Sequence, residues 1–189
     1  MLDRTQWFLA GMSIALSLQL SHPITTAVAV GKVLQTAQTN SSEAAKKVYQ
    51  EANKLYQQGT VEALRGAIAK YEEALKLYRS IGDRRGEATA LSVIGSVYLK
   101  LGEHQKALEY LSQSLPLRRA VSDQRGEAVT LNNIGKVYND LGEKQKSLEY
   151  YSQSLILFRE VGDRGGEATT LNNIGKVYSD LGQKQRALE

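Results

Sequence analysis

GEAVTLNNIGKVY, residues 126–138, returns as GEATTLNNIGKVY at residues 166–178, the two copies differing only at Val129 and Thr169. An earlier copy shares the frame: Gly95, Gly135 and Gly175 are spaced 40 residues apart, as are Tyr98, Tyr138 and Tyr178. A fixed period between about 20 and 50 residues marks an array of stacked units, whose core is a seam between neighbours and has no single centre. Such an array presents an extended surface, so binding is the first functional expectation and catalysis the second.

Two helical patterns fit inside one period. Leu131, Ile134, Gly135 and Tyr138 fall at i, i+3, i+4 and i+7, one face of an α-helix. Gly135 leaves a notch on that face. A glycine inside a helix costs about 1 kcal/mol against alanine, so its return in each period predicts a second helix packed closely there. Leu141-Gly142 supplies the helix stop. The second pattern runs from Glu143 to about Glu160, with Leu148, Tyr151, Leu155 and Phe158 on its apolar stripe; Gly162 closes it and Asp163 is placed to cap the next helix. Only two prolines, and an abundance of Ala, Leu, Glu, Lys and Gln after Ser41, agree with an all-α fold.

Composition removes several functions. With no cysteine and only His22 and His104, disulfides, thiol nucleophiles and the usual zinc sites are excluded or disfavoured, and no metal or other cofactor is expected. The net charge of +4 is spread through mixed acidic and basic residues, without the basic stripe that nucleic acid requires. Glu72-Glu73, Glu103 and Glu109 read as solvated carboxylates and not as an acid/base pair, and His104 as an exposed residue at a helix start. The turns Asp83-Arg84-Arg85-Gly86 and Asp163-Arg164-Gly165-Gly166 lack the strand and the Lys-Ser/Thr of a phosphate loop. Pro116 interrupts a second-helix pattern and predicts a tolerated kink on a solvent-facing end.

The first thirty residues are of another kind. Arg4 sits beside Asp3, WFLAGMSIALSLQL follows at residues 7–20, and Ala27-Val28-Ala29 offers small residues where a signal peptidase reads. This tripartite order predicts an export signal cleaved after Ala29 and a periplasmic or extracellular product; the alternative is an uncleaved membrane anchor. The expected organisation is a signal peptide at 1–29, a linker at 30–41, a degenerate first repeat at 42–83, repeats at 84–123 and 124–163, and a truncated repeat at 164–189. Glu189 aligns with Glu149, midway through a second helix, so the last repeat reads as uncapped and self-association through it is an expectation.

The set Leu131, Ile134, Gly135, Tyr138, Gly142, Ser147 and Tyr151 resembles the tetratricopeptide repeat pattern W-x2-L-G-x2-Y with its later small and aromatic positions. Leu131 stands for the usual Trp and Ser147 for the usual Ala, which Ala107 and Ala187 restore in the flanking repeats. A 40-residue period against the usual one of about 34 implies longer helices. Long repeats of this kind are similar to those of kinesin light chains and, with the turn Gly-Asp-Arg-x-Gly-Glu, to bacterial arrays that often precede a caspase-like CHAT protease domain. The resemblance covers roughly residues 42–189. It implies a right-handed superhelical solenoid of antiparallel helix pairs, a scaffold without chemistry of its own whose first helices line a concave groove for a protein or peptide partner. The alternative it implies is the sensing part of a larger effector of the CHAT type.

On the polar side of the first helices stand Val129, Asn132, Asn133, Lys136, Asn139 and Asp140, then Thr169, Asn172, Asn173, Lys176, Ser179 and Asp180. The asparagines, lysines and aspartates of these two rows are the candidate partner-binding residues. An asparagine amide donates and accepts at once, which suits a ligand read through its main chain. Lys136 and Lys176 would engage a carboxylate, as lysines do in tetratricopeptide domains that clamp acidic tails. The equivalent positions around Ser92, Val93 and Ser96 lack the asparagines, which places the polar part of the groove toward the C-terminal half.

Overall fold

Why the period is 40 residues is plain from one unit: two 17-residue helices, Gln124–Asp140 and Lys144–Glu160, separated by three-residue turns. In a computed structural model, which describes residues 23–182, seven helices follow one another and no strand occurs among the described residues. They are α1 (Pro23–Gln58), α2 (Val61–Ile81), α3 (Arg84–Lys100), α4 (His104–Ala120), α5 (Gln124–Asp140), α6 (Lys144–Glu160) and α7 (Arg164–Asp180). Each helix from α2 to α6 packs on the next, and the first helices α3, α5 and α7 also touch from repeat to repeat. This is an all-α solenoid of antiparallel helix pairs.

The chain divides into two units, residues 1–40 and 41–189. The residues of the expected linker at 30–41, next to the boundary between the units, are helical. No proline follows Pro23 there, and Lys, Leu, Gln and Ala are good helix formers. Thr36 and Thr39 donate their hydroxyls to the carbonyls of Lys32 and Gln35, at 2.9 and 2.8 Å, so their side chains are satisfied without leaving the helix. Of the expected signal peptide, residues 1–22 lie outside the described residues, as do residues 183–189, where the last second helix is expected.

The stops and starts repeat as the sequence predicts. Asp83, Asp123 and Asp163 each accept the backbone N–H of the glycine three residues on, at 2.9, 3.0 and 3.0 Å, and so cap α3, α5 and α7. The preceding turn reverses through a left-handed residue, Gly82 at φ 72° and Gly162 at φ 68°; between them the same position is Ser122, at φ 51°. Across these turns Arg79, Arg119 and Arg159, each from the end of the preceding helix, pair with Glu87, Glu127 and Glu167 at 2.7, 2.6 and 2.7 Å. The pairs are exposed, so they contribute little to stability.

Between the two helices of a repeat, the glycine notch is filled. A Cβ on Gly95 would stand 2.7 Å from Leu111 Cγ and 3.1 Å from the Ala107 carbonyl, and one on Gly135 would stand 2.8 Å from the Tyr151 ring. Leu111 and Tyr151 are buried. Buried Ser114 and Ser154 add a bond the sequence did not advertise: each donates its hydroxyl across the pair, to the carbonyls of Ala88 and Ala128, both at 2.8 Å.

The degenerate first repeat departs in two ways. Its second helix is longer: α2 has 21 residues and is capped by Thr60 accepting from Ala63 N–H at 3.1 Å. Its partner face is closed by Tyr71, which donates to Asn53 at 2.5 Å and packs on Tyr49 with ring centroids 5.1 Å apart. Pro116 is exposed and α4 continues through it.

Two substitutions test this geometry with opposite signs. Gly95→Ala gains helix propensity but forces a contact against backbone, so it lowers stability by about 1–2 kcal/mol; Ser122→Gly removes a left-handed non-glycine and raises stability by about 1 kcal/mol. Urea unfolding midpoints of the two variants should move in opposite directions.

Candidate functional site

The polar residues expected on the first helices are brought together by α5 and α7, but several are already bonded to each other. Asn132 donates to Thr170 at 2.7 Å and accepts from Asn173 at 3.2 Å, so it joins α5 to α7. Asn133 reaches the other way, donating to Ser96 of α3 at 2.9 Å. One repeat earlier the hydroxyls of Ser92 and Thr130 meet at 3.3 Å, in the register that Asn132 and Thr170 occupy. The asparagines therefore brace neighbouring first helices, a role that tertiary contact alone reveals. Each still has spare capacity, because an amide offers two donors and an acceptor oxygen.

At the far end of the same helices, Lys144 of α6 donates to Asn139 at 2.7 Å and to Asp180 at 2.8 Å, tying two repeats together. The Asp180 carboxyl is held below its ordinary range, first by that Lys144 bond. Asn139 also donates to Asp140, at 3.4 Å. Asn172, Lys136 and Lys176 are exposed, and neither lysine enters an ion pair among the described residues. His104 corrects an expectation: it is half-buried where exposure was expected, because it stands at the α4 start in the register of bridging Lys144, with Nδ1 enclosed.

Beside the asparagines lies a cavity of about 630 Å³, open to solvent, between the N-terminal halves of α5 and α7. Val129, Asn132 and Asn133 form one wall and Thr169 and Gly165 another; Phe158 and Arg118 reach it from the second helices. Sequence reading missed Arg118. The signal was available in the register, since residue 118 aligns with Tyr78 and Phe158, both buried aromatics. The Arg118 side chain is 11 % exposed and pairs with the Asp123 carboxylate. Burial pushes the Asp123 carboxyl up, but the Gly126 N–H and Arg118 outweigh it and leave it lowered. Arg125, on the rim, pairs with Asp163 at 2.7 Å. The Gly166 N–H, then Arg125, holds Asp163 low.

Among the described residues no cluster of His, Cys, Asp or Glu is placed to hold a metal ion, and no helix is long and apolar enough to cross a membrane. What the arrangement offers is a row of amides and charges spanning adjacent repeats.

A family model described as the tetratricopeptide repeat matches residues 62–120 and 126–189, more than half of the chain. No curated protein matches significantly. Among solved structures, the apo form of RapI is similar at TM-score 0.70 and 19 % identity, over 78 % of this chain and 40 % of that one. Aspartyl phosphate phosphatase F from Bacillus subtilis is similar at TM-score 0.71 and 16 % identity, over 77 % and 38 %. A putative kinesin light chain of nearly identical repeats from Podosopora anserina follows at TM-score 0.64 and 14 % identity, over 77 % and 70 %. This chain thus spans less than half the length of the first two, and at these identities the likeness is one of fold.

The lowered Asp123 carboxyl sets a pH dependence. Stability from a depressed carboxylate is present above its ordinary value of 3.8 and is lost as pH falls through the lower folded value. Asp123→Asn should therefore be less stable than the parent near neutral pH and lose less stability on acidification below about pH 4, as read from urea midpoints across that range.

Proposed function

Given that the chain belongs to the tetratricopeptide repeat family, we propose that it is a scaffold without catalytic activity that binds a protein or peptide partner along the face formed by α3, α5 and α7. The observation that carries this reading is the alignment of Asn132, Asn133 and Asn173 across adjacent repeats, next to a cavity of ligand size. An extended partner segment would take main-chain hydrogen bonds from the spare donors and acceptors of Asn133 and Asn173. Exposed Lys136 and Lys176 would supply charge at its side.

The test is capture of partners from a source-cell extract, identification by mass spectrometry, and affinity measurement with the purified partner. Asn133→Ala with Asn173→Ala should weaken binding about tenfold or more, with helix content and unfolding midpoint followed in parallel, because both amides also brace the repeats. Unchanged affinity in a folded double variant removes the groove assignment.

Export is proposed on the sequence alone, from the apolar run at 7–20 and the small residues at 27–29. The mature protein should begin at Val30 and be recovered outside the cytoplasm; an intact Met1 terminus on material from the membrane fraction would instead indicate an anchor.

A further inference from the structure

Repeats three and four are near-copies, so the positions where the repeat frame changes chemistry stand out, and two of them meet at one cavity. The first is Arg118. The same position holds Tyr78 one period before and Phe158 one period after, each buried. An arginine placed in an aromatic's pocket is an expensive substitution, and its Nε is enclosed without a hydrogen-bond partner. The second is Gly165. The preceding periods place Arg85 and Arg125 there, and each reaches to the next repeat's turn: Arg85 donates to the Val121 carbonyl at 3.3 Å and Arg125 pairs with Asp163. Gly165 sends no such arm, and only Asp163 Oδ1 at 3.5 Å approaches the space its Cβ would fill. Gly165 lines the cavity of about 630 Å³.

The charge balance there favours an anion. Arg118 and Arg125 face Asp123 and Asp163, but each carboxylate also accepts a backbone N–H at the start of α5 or α7. Its charge is shared with the positive end of a helix, so the two arginines are not fully offset. Arg118 has five N–H donors, and Nη1 serves Asp123. Val129 and the Phe158 ring give the same cavity an apolar side.

We propose that this cavity between repeats three and four is a specificity pocket for an acidic side chain of a bound peptide, with Arg118 and Arg125 receiving the carboxylate and Val129 and Phe158 packing on its methylenes. This rests on the peptide-binding reading of the face and names the chemistry the ligand must carry. The asparagines beside the pocket take the main chain as it passes, so the acid is an internal glutamate or aspartate side chain.

The test uses the full chain and a defined probe, glutamate blocked at both ends as N-acetyl-glutamate N-methylamide, with the glutamine analogue as control. Arginine Nε–H signals are followed by nuclear magnetic resonance, Arg118 and Arg125 being assigned from Arg118→Phe and Arg125→Ala. The glutamate probe should shift both signals saturably in the millimolar range, with the glutamine analogue about tenfold weaker. Arg118→Phe restores the aromatic of its neighbours, so it should fold with an equal or higher unfolding midpoint and lose the probe response at Arg125. No shift with the glutamate probe, or an equal shift with glutamine, overturns the pocket. A captured partner whose affinity depends on Asn133 and Asn173 but is indifferent to Arg118→Phe keeps the groove and overturns the pocket. A probe response in a protein whose partner ignores the asparagines does the reverse.

Discussion

Everything in the array depends on how closely the two helices of a repeat approach at one missing side chain. Gly95 and Gly135 let Leu111 and Tyr151 press against the first-helix backbone, closer than a Cβ would allow. That approach fixes which faces meet, and the buried serine bonds from Ser114 and Ser154 to the facing carbonyls follow from it. A helix gives up about 1 kcal/mol by carrying glycine at its centre; the return is a dense contact repeated once per period. The buried core forms two clusters along the array, one running from Ala45 to Val137 and one of Leu148, Tyr151 and Val177.

Stacking by this means leaves the first helices side by side, and their polar faces must accommodate one another. Asn132, Asn133 and Asn173 do so by bonding across the repeats. The same residues offer the donors and acceptors a partner would use, so bracing and recognition share side chains. Lys144 plays the bracing part at the other end, joining Asn139 and Asp180. In a one-dimensional array each repeat is held only by its neighbours, so such cross-repeat bonds also set how the repeats are oriented on one another.

Arg118 and Gly165 depart from the frame that surrounds them. Near-identical units give a strong internal reference, since a position that is aromatic in two repeats and charged in the one between has escaped the packing rule of its neighbours. Local consistency gives way most often where a site is built, and both departures border one cavity.

The sequence by itself determined the period, the helix pairs and their boundaries, because glycine stops, aspartate caps and the Leu-Ile-Gly-Tyr face are local signals. It also identified the glycine notch, since a costly residue that recurs needs a reason. It did not foresee that residues 30–41, small and polar, form part of α1; with helix-compatible side chains there, only composition was left to judge by. What it could not supply was the pairing of side chains separated by 37 to 41 residues. Asn132 with Thr170 and Asn173, Asn133 with Ser96, and Arg125 with Asp163 meet only because stacked repeats bring one period against the next. Whether an asparagine faces water or its neighbour, and whether an arginine lies on the surface or in a cavity, was decided by tertiary structure, because burial is a property of what packs alongside.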